Sequence, residues 1–199
     1  MLSLRGIARA MGISAPAIYH YFADRDALVT ALTVDAYESL RTTLINAYET
    51  LPPHYLEGRL RANLHAYRDW AIAHPNHYNL LFGPPLNGYE IPLDIILPEA
   101  AKTLAVLVSI VDAIYVAGRL NPSSVPPFTD PPPPAFAEWT VVTGLGNFRS
   151  LVTAQSMWAR MHGLVSAEIT LNMPPVGMRY RFIYAHTVDQ IVAEHLLRA

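Results

Sequence analysis

Apolar residues recur at helical period along almost the whole chain. Near its start Leu4, Ile7, Ala8 and Met11 fall at i, i+3, i+4 and i+7, which is one face of a helix. Ser3 precedes that run as an N-cap, and Gly12 ends it as a residue that tolerates the left-handed region. Ile13 is a single apolar residue in the turn that follows, expected to be buried, and Ser14 is placed to cap the next helix. Pro16 falls in that helix's first turn, where a missing N–H costs little. Asp24 caps a third helix that continues through Ala27, Leu28 and Leu32 to about Glu49, stopped by the prolines at 52–53.

Beyond residue 56 the pattern is again helical. GRLRANLHAYRDWAIAHP (58–75) reads as an amphipathic helix ended by Pro75, and NHYNLLFGPP gives a short helix broken by Gly83. Residues 94–118 are strongly apolar and long without turn signals, which favours a buried helix over strands. The run NPSSVPPFTDPPPP (121–134) predicts an extended, solvent-facing connection. Two long helices, roughly 146–172 and 178–198, follow on either side of NMPPVG. The expected architecture is all-α, with a small separate unit at 1–48 and a larger helical domain at 49–199.

Composition narrows the classes. Just over half the 199 residues are apolar and 15% are charged, so an intrinsically disordered chain is excluded. A net charge of −2 rules out a uniformly basic nucleic-acid binder but not a local basic patch, and residues 1–23 hold Arg5 and Arg9 with no acid. There is no cysteine, which removes disulfides, thiol catalysis and thiolate metal sites and fits a cytoplasmic protein. The longest apolar tract, 104–118, is too short for a bilayer and carries Asp112. Without a nucleophile–base motif or a carboxylate–histidine cluster, the chain reads as neither an enzyme nor a metal or cofactor carrier. His186 and His195, nine apart, lack chelating spacing.

The chemistry gathers in GISAPAIYHYF (12–22). At 100° per residue, Ile18 and Phe22 share one side of this short helix with Ala15, while Tyr19 and His20 point away and Tyr21 flanks the seam. A helix, a glycine turn and a second short helix make a helix-turn-helix, whose second helix enters the major groove of DNA. Tyrosine hydroxyls donate to phosphate oxygens and His20 donates to phosphate or a base edge. Small Ala15 and Ala17 allow close approach. Arg5 and Arg25 lie where a guanidinium reaches the backbone. The same spacing also allows Tyr19, His20 and Tyr21 to pack against the larger domain, and by itself does not choose.

The residues add a resemblance. LSLRGIARAMGISAPAIYHYFADRDALVTAL (2–32) is similar to the DNA-binding domain of TetR family transcriptional regulators, through R-x-I-A, G-I-S, the I-Y-x-Y-F block and a basic residue opening the next helix before A-L. WARMHGL (158–164) resembles the W-x-x-x-H-G pattern of one C-terminal subclass. The resemblance implies a dimeric regulator, usually a repressor, whose helical domain binds a small molecule that releases it from a palindromic double-stranded operator. By motif position it makes Ser3, Arg5, Ser14, Ala15, Ala17, Tyr19, His20, Tyr21 and Arg25 DNA contacts. Arg25 stands where the family usually has lysine. The family also has a further helix ahead of the segment matching LSLRGIA, and here Met1 opens directly on that segment. The expectation is then a truncated unit, with Leu4, Ile7, Ile18, Phe22 and Leu28 left partly uncovered. A DNA-incompetent helical dimer that binds only a ligand or a partner is the alternative.

In the second domain, Tyr67, Trp70, Tyr78, Phe82, Asp112, Tyr115, Phe148 and Trp158 are candidate walls of a site for an apolar or aromatic effector, with Asp112 its polar group. Each aromatic also suits plain core. His162 reads two ways: a hydrogen-bond partner for the effector, or a structural donor beside a Gly163 that lets another helix approach. The second is favoured. The last two helices carry an apolar face (Leu151, Val152, Met157, Met161 and Leu164, with Phe182, Ile183, Val188, Ile191, Val192 and Leu196) that suits a four-helix homodimer interface.

Overall fold

The computed structural model describes residues 4–125, 131–171 and 180–197, with the side chain of Ala15 outside that description. The expected caps and contacts at Ser3, and the NMPPVG segment, lie outside the described residues. Among the described residues all regular structure is helical apart from an isolated bridge between Leu120 and Leu196.

Helix α1 (Leu4–Ala10) and helix α2 (Ala15–Tyr21) are joined by a turn in which Gly12 sits at φ 69°, a conformation that strains a residue bearing a Cβ. Asp24 accepts from the Ala27 N–H at 2.8 Å and caps α3 (Arg25–Glu49). Leu4, Ala8, Ile18 and Leu28 bury one another in a small core, with Ile7 and Phe22 half-buried against it. The expected uncovered face is therefore largely closed by its own residues. Met11 and Ile13 depart from the sequence expectation, since both are exposed: the chain leaves the helix at Gly12 before their side chains reach the core. Ser14 holds the N-cap position of α2 with extended backbone, but its side chain makes no capping bond.

The larger core is shared by α3 with α4 (Leu56–Ala73), α5 (Pro75–Phe82), α6 (Leu93–Val116), α8 (Phe148–Ile169) and α9 (Tyr180–His195). At ~1.5 Å per residue, the 25 residues of α3 run from the small core into the large one. Arg41 on α3 pairs with Glu99 on α6 at 2.8 Å, and Lys102 and Arg41 hold the Glu99 carboxyl below its usual range. Helix α7 (Ala135–Thr143), packed on α6 through Phe136 and Trp139, has no counterpart in the sequence reading. Its nine residues are too short for a clear period and begin directly after a proline run.

The proposed dimer face is corrected. Leu151, Met157, Met161, Val188, Ile191, Val192 and Leu196 all belong to the chain's own core. Two helices packed on a bundle must point their widest apolar stripes inward, and those stripes are the ones periodicity picks out. Of the eleven residues, Phe182 and Ile183 are exposed, and Val152 and Leu164 are half-buried. Among the described residues nothing lies within 4 Å of where a Cβ on Gly163 would stand, so no described helix of its own chain approaches there. Among the described residues no helix is long and apolar enough to cross a membrane.

Candidate functional sites

Two places bring chemistry-bearing side chains together. The first is the outer face of α2. With Ile18 buried, the helix must turn the opposite side to solvent, and Ala17, Tyr19, His20 and Tyr21 are all exposed there. Tyr21 is 77% exposed and its ring meets His20 edge-on at 5.3 Å. None of the three packs against the larger domain, which removes the packing alternative. Ser14 and Arg5 are exposed beside them. Arg25 differs: it is half-buried, and its two terminal nitrogens donate to the Asn87 carbonyl at 3.1 and 3.2 Å. The loop after α5 thereby holds the first turn of α3, and Tyr89 of the same loop meets the Thr30 hydroxyl at 2.9 Å.

The second place is a cavity of about 330 Å³ inside the larger domain, at the lower end of small-molecule sites. Its walls are Tyr37, Leu40 and Leu44 from α3, Asn63, Leu64 and Tyr67 from α4, and Phe82 from α5. Ala100, Thr103, Leu104 and Leu107 come from α6, and Trp158 and Met161 from α8. No wall residue carries a charge.

Of the nine candidate effector residues, Tyr67, Phe82 and Trp158 line this space. Tyr78 and His162 stand directly behind it. The His162 ring stacks on Trp158 at 4.6 Å, and its Nδ1 lies 2.8 Å from the Tyr67 hydroxyl and 3.3 Å from that of Tyr78. Burial pushes both phenols up, so both hydroxyls keep their protons, and the shorter contact pairs Tyr67 with Nδ1. His162 thus locks α8 to α4 and α5 and fixes the tilt of Trp158.

The other four do not reach the cavity. Trp70 is fully buried elsewhere, its indole N–H donating to the Ser39 hydroxyl at 3.0 Å. Asp112 accepts from Asn147 and the Ser150 hydroxyl, both at 2.8 Å, because Asn147 caps α8 and needs an anchor on α6. Phe148 packs edge-on against Phe136 at 5.0 Å. Tyr115 is exposed at the end of α6. Periodicity reported that these residues are apolar or isolated, but not which cavity they adjoin. Conversely, the α3 residues and Asn63 went unread: a lone amide within an amphipathic helix carries no distinguishing pattern. Among the described residues there is no grouping of His, Asp or Glu that would hold a metal.

His162 also makes a prediction. Burial lowers its pKa below 6.5, and burial does the same to His65, where nearby Asp69 opposes it. Both folded-state values lie below the unfolded one, so the neutral rings stabilise the fold fully above that ordinary value. The contribution is lost as pH falls from it towards the lowered folded-state values. Urea midpoints should fall with acid across this window, and His162→Gln should flatten part of the fall; an unchanged slope would remove His162 as a source.

Similar proteins bear on both places. The family model for bacterial regulatory proteins of the tetR family matches residues 1–32, and that for the tetracyclin repressor-like C-terminal domain matches residues 60–190. The HTH-type transcriptional regulator Rv1816 of Mycobacterium tuberculosis is 31% identical over 171 residues, covering 84% of this chain and 72% of the relative. Among solved structures, SCO4313 superposes with a TM-score of 0.71 at 30% identity, over 96% of this chain and 85% of its own. The TetR family transcriptional regulator PfmR from Thermus thermophilus shares the fold, with a TM-score of 0.61 at 15% identity over 96% and 88% of the two chains.

Proposed function

This chain belongs to the tetR family of bacterial regulatory proteins; it is a DNA-binding transcriptional regulator and not an enzyme, and from that premise we propose that it is a repressor released from a palindromic operator by a small molecule held in the α3–α8 cavity. The observation that carries the reading is the span of α3. One end of this helix supports the exposed face of α2 through Leu28, and its middle supplies Tyr37, Leu40 and Leu44 to the cavity wall. A ligand that prefers one position of α3 therefore has a direct mechanical claim on the reading helix, and coupling needs only a difference in affinity between two such positions.

Tyr19, His20 and Tyr21, with Arg5, Ser14, Ala15 and Ala17, are assigned to the duplex, and Ser3 is assigned by motif alone. Arg25 joins them by exchanging the Asn87 carbonyl for a phosphate. Residues 1–48 are read as the DNA-binding domain and 49–199 as the effector and dimerisation domain, with Tyr37, Leu40 and Leu44 of α3 reaching across that boundary to the cavity wall. A second copy is placed against the sides of α8 and α9 that the core leaves open, around Gly163, Phe182 and Ile183. The two-fold axis would then set two α2 helices about one DNA turn or a small multiple apart. A cytoplasmic site of action follows from that role.

The test is a fluorescence-anisotropy titration against DNA from upstream of its own gene at low and moderate salt. Lys and Arg contacts to phosphates release counterions, so affinity should fall steeply with salt, and the protected site should be symmetric. Binding without salt dependence, or to a site with no half-site symmetry, would count against the proposal.

A further inference from the structure

Among the described residues of the cavity wall, Asn63 alone holds a fully buried side-chain donor without a partner. Asn63 is 2% exposed, lines the cavity, and its side-chain nitrogen is buried with no hydrogen-bond partner. Native chains keep few such groups, because an unpaired buried donor costs more than a hydrogen bond returns. Two neighbouring polar groups are committed. The Tyr67 hydroxyl, one turn along the same face of α4, goes to His162, and the Thr103 hydroxyl goes to the Glu99 carbonyl at 2.8 Å. The arginines beside wall positions are also spoken for, Arg41 by Glu99 and Arg68 by Glu168.

We propose, building on the effector-cavity reading above, that Asn63 is the polar anchor of this cavity and that its ligand is neutral, largely apolar and carries one carbonyl-type acceptor. The acceptor takes the free amide N–H of Asn63. The apolar body lies among Tyr67, Phe82, Trp158 and the leucines. An anion is disfavoured because no wall residue offers a countercharge, and burying an unpaired carboxylate is costly. A pure hydrocarbon is disfavoured because it leaves the amide unpaired.

Three probes of nearly one shape decide the matter on the full chain: benzylacetone (a ketone), butylbenzene (its hydrocarbon match) and hydrocinnamate (its carboxylate match). Quenching of Trp158 fluorescence, checked with Trp158→Phe, and thermal shift give the affinities. The ketone should bind about tenfold more tightly than the hydrocarbon, with the carboxylate weakest, and Asn63→Leu should erase the ketone's advantage. If that variant does not fold, the wild-type protein with nitrogen-labelled asparagine serves instead: one side-chain amide should shift with benzylacetone and not with butylbenzene. Equal binding of ketone and hydrocarbon, a ketone preference surviving in Asn63→Leu, or an unmoved amide would overturn the anchor while leaving the cavity reading intact. Tightest binding by hydrocinnamate would overturn the neutral ligand. No response to any probe would overturn the cavity reading itself.

Discussion

Glu168→Ala is expected to be the most destabilising single charge deletion in the larger domain, by about 3 kcal/mol and a thermal midpoint drop of roughly 6–12 °C. The Arg68 guanidinium donates to both Glu168 carboxylate oxygens, at 2.8 and 2.6 Å, and both side chains are largely buried. It also lies 5.7 Å from the centre of the Tyr184 ring, and Tyr184 donates to the Leu64 carbonyl. One guanidinium therefore ties α4 to α8 and α9. Removing the acid leaves a desolvated cation whose remaining partner, Asp69 at 3.7 Å, is mostly in solvent. The attraction itself is not the main quantity at stake. Glu168→Leu combined with Arg68→Met should recover much of the loss, since two apolar side chains of similar volume remove both desolvation costs. Chemical denaturation of the wild type, both singles and the double variant forms the cycle. A double variant as unstable as the two singles combined would give no coupling between the two side chains and would overturn the expectation.

The same arrangement explains what the sequence did and did not disclose. The helix-turn-helix was legible because short-range rules govern it. Gly12 demands the left-handed turn, Asp24 caps, and Ile18 and Phe22 fix which side of α2 faces inward, so Tyr19 and His20 must face out. Long-range placement follows no such rule. Met157 and Ile191 are apolar at helical spacing whether they meet their own chain or a second copy, and here they meet their own. Asp112 looked like a polar group on an apolar wall, yet it anchors the cap of α8. Of the effector candidates, Tyr67, Phe82 and Trp158 border the cavity because they sit on helices that converge there. Trp70, one turn on from Tyr67 on a neighbouring face of α4, does not border the cavity because its indole is turned toward Ser39 and His74. Periodicity assigns an inward face to each helix; it does not say which inward-facing residues border a gap, because gaps arise where several helices fail to interdigitate.

Tyr19→Ala combined with His20→Ala should weaken binding to upstream DNA by roughly a hundredfold or more, at about 1–3 kcal/mol for each side chain's interaction with the duplex, while leaving the thermal midpoint almost unchanged. The two expectations belong together. Both side chains are exposed and neither contributes to the small core of Leu4, Ala8, Ile18 and Leu28. Alanine is also the better helix former at solvent-facing positions. A change in DNA affinity without a change in stability can then only come from the outward face. The singles separate the roles. Without its phosphate interaction at Tyr19 the protein should bind all duplexes more weakly and to the same degree, and Tyr19→Phe, which deletes only the hydroxyl, should reproduce most of the effect. Removing a base-edge interaction at His20 should weaken the preferred site more than a scrambled one and so relax specificity. If affinity and midpoint instead fall in step, these residues serve their own subunit, and the assignment of α2 as the reading helix fails with them.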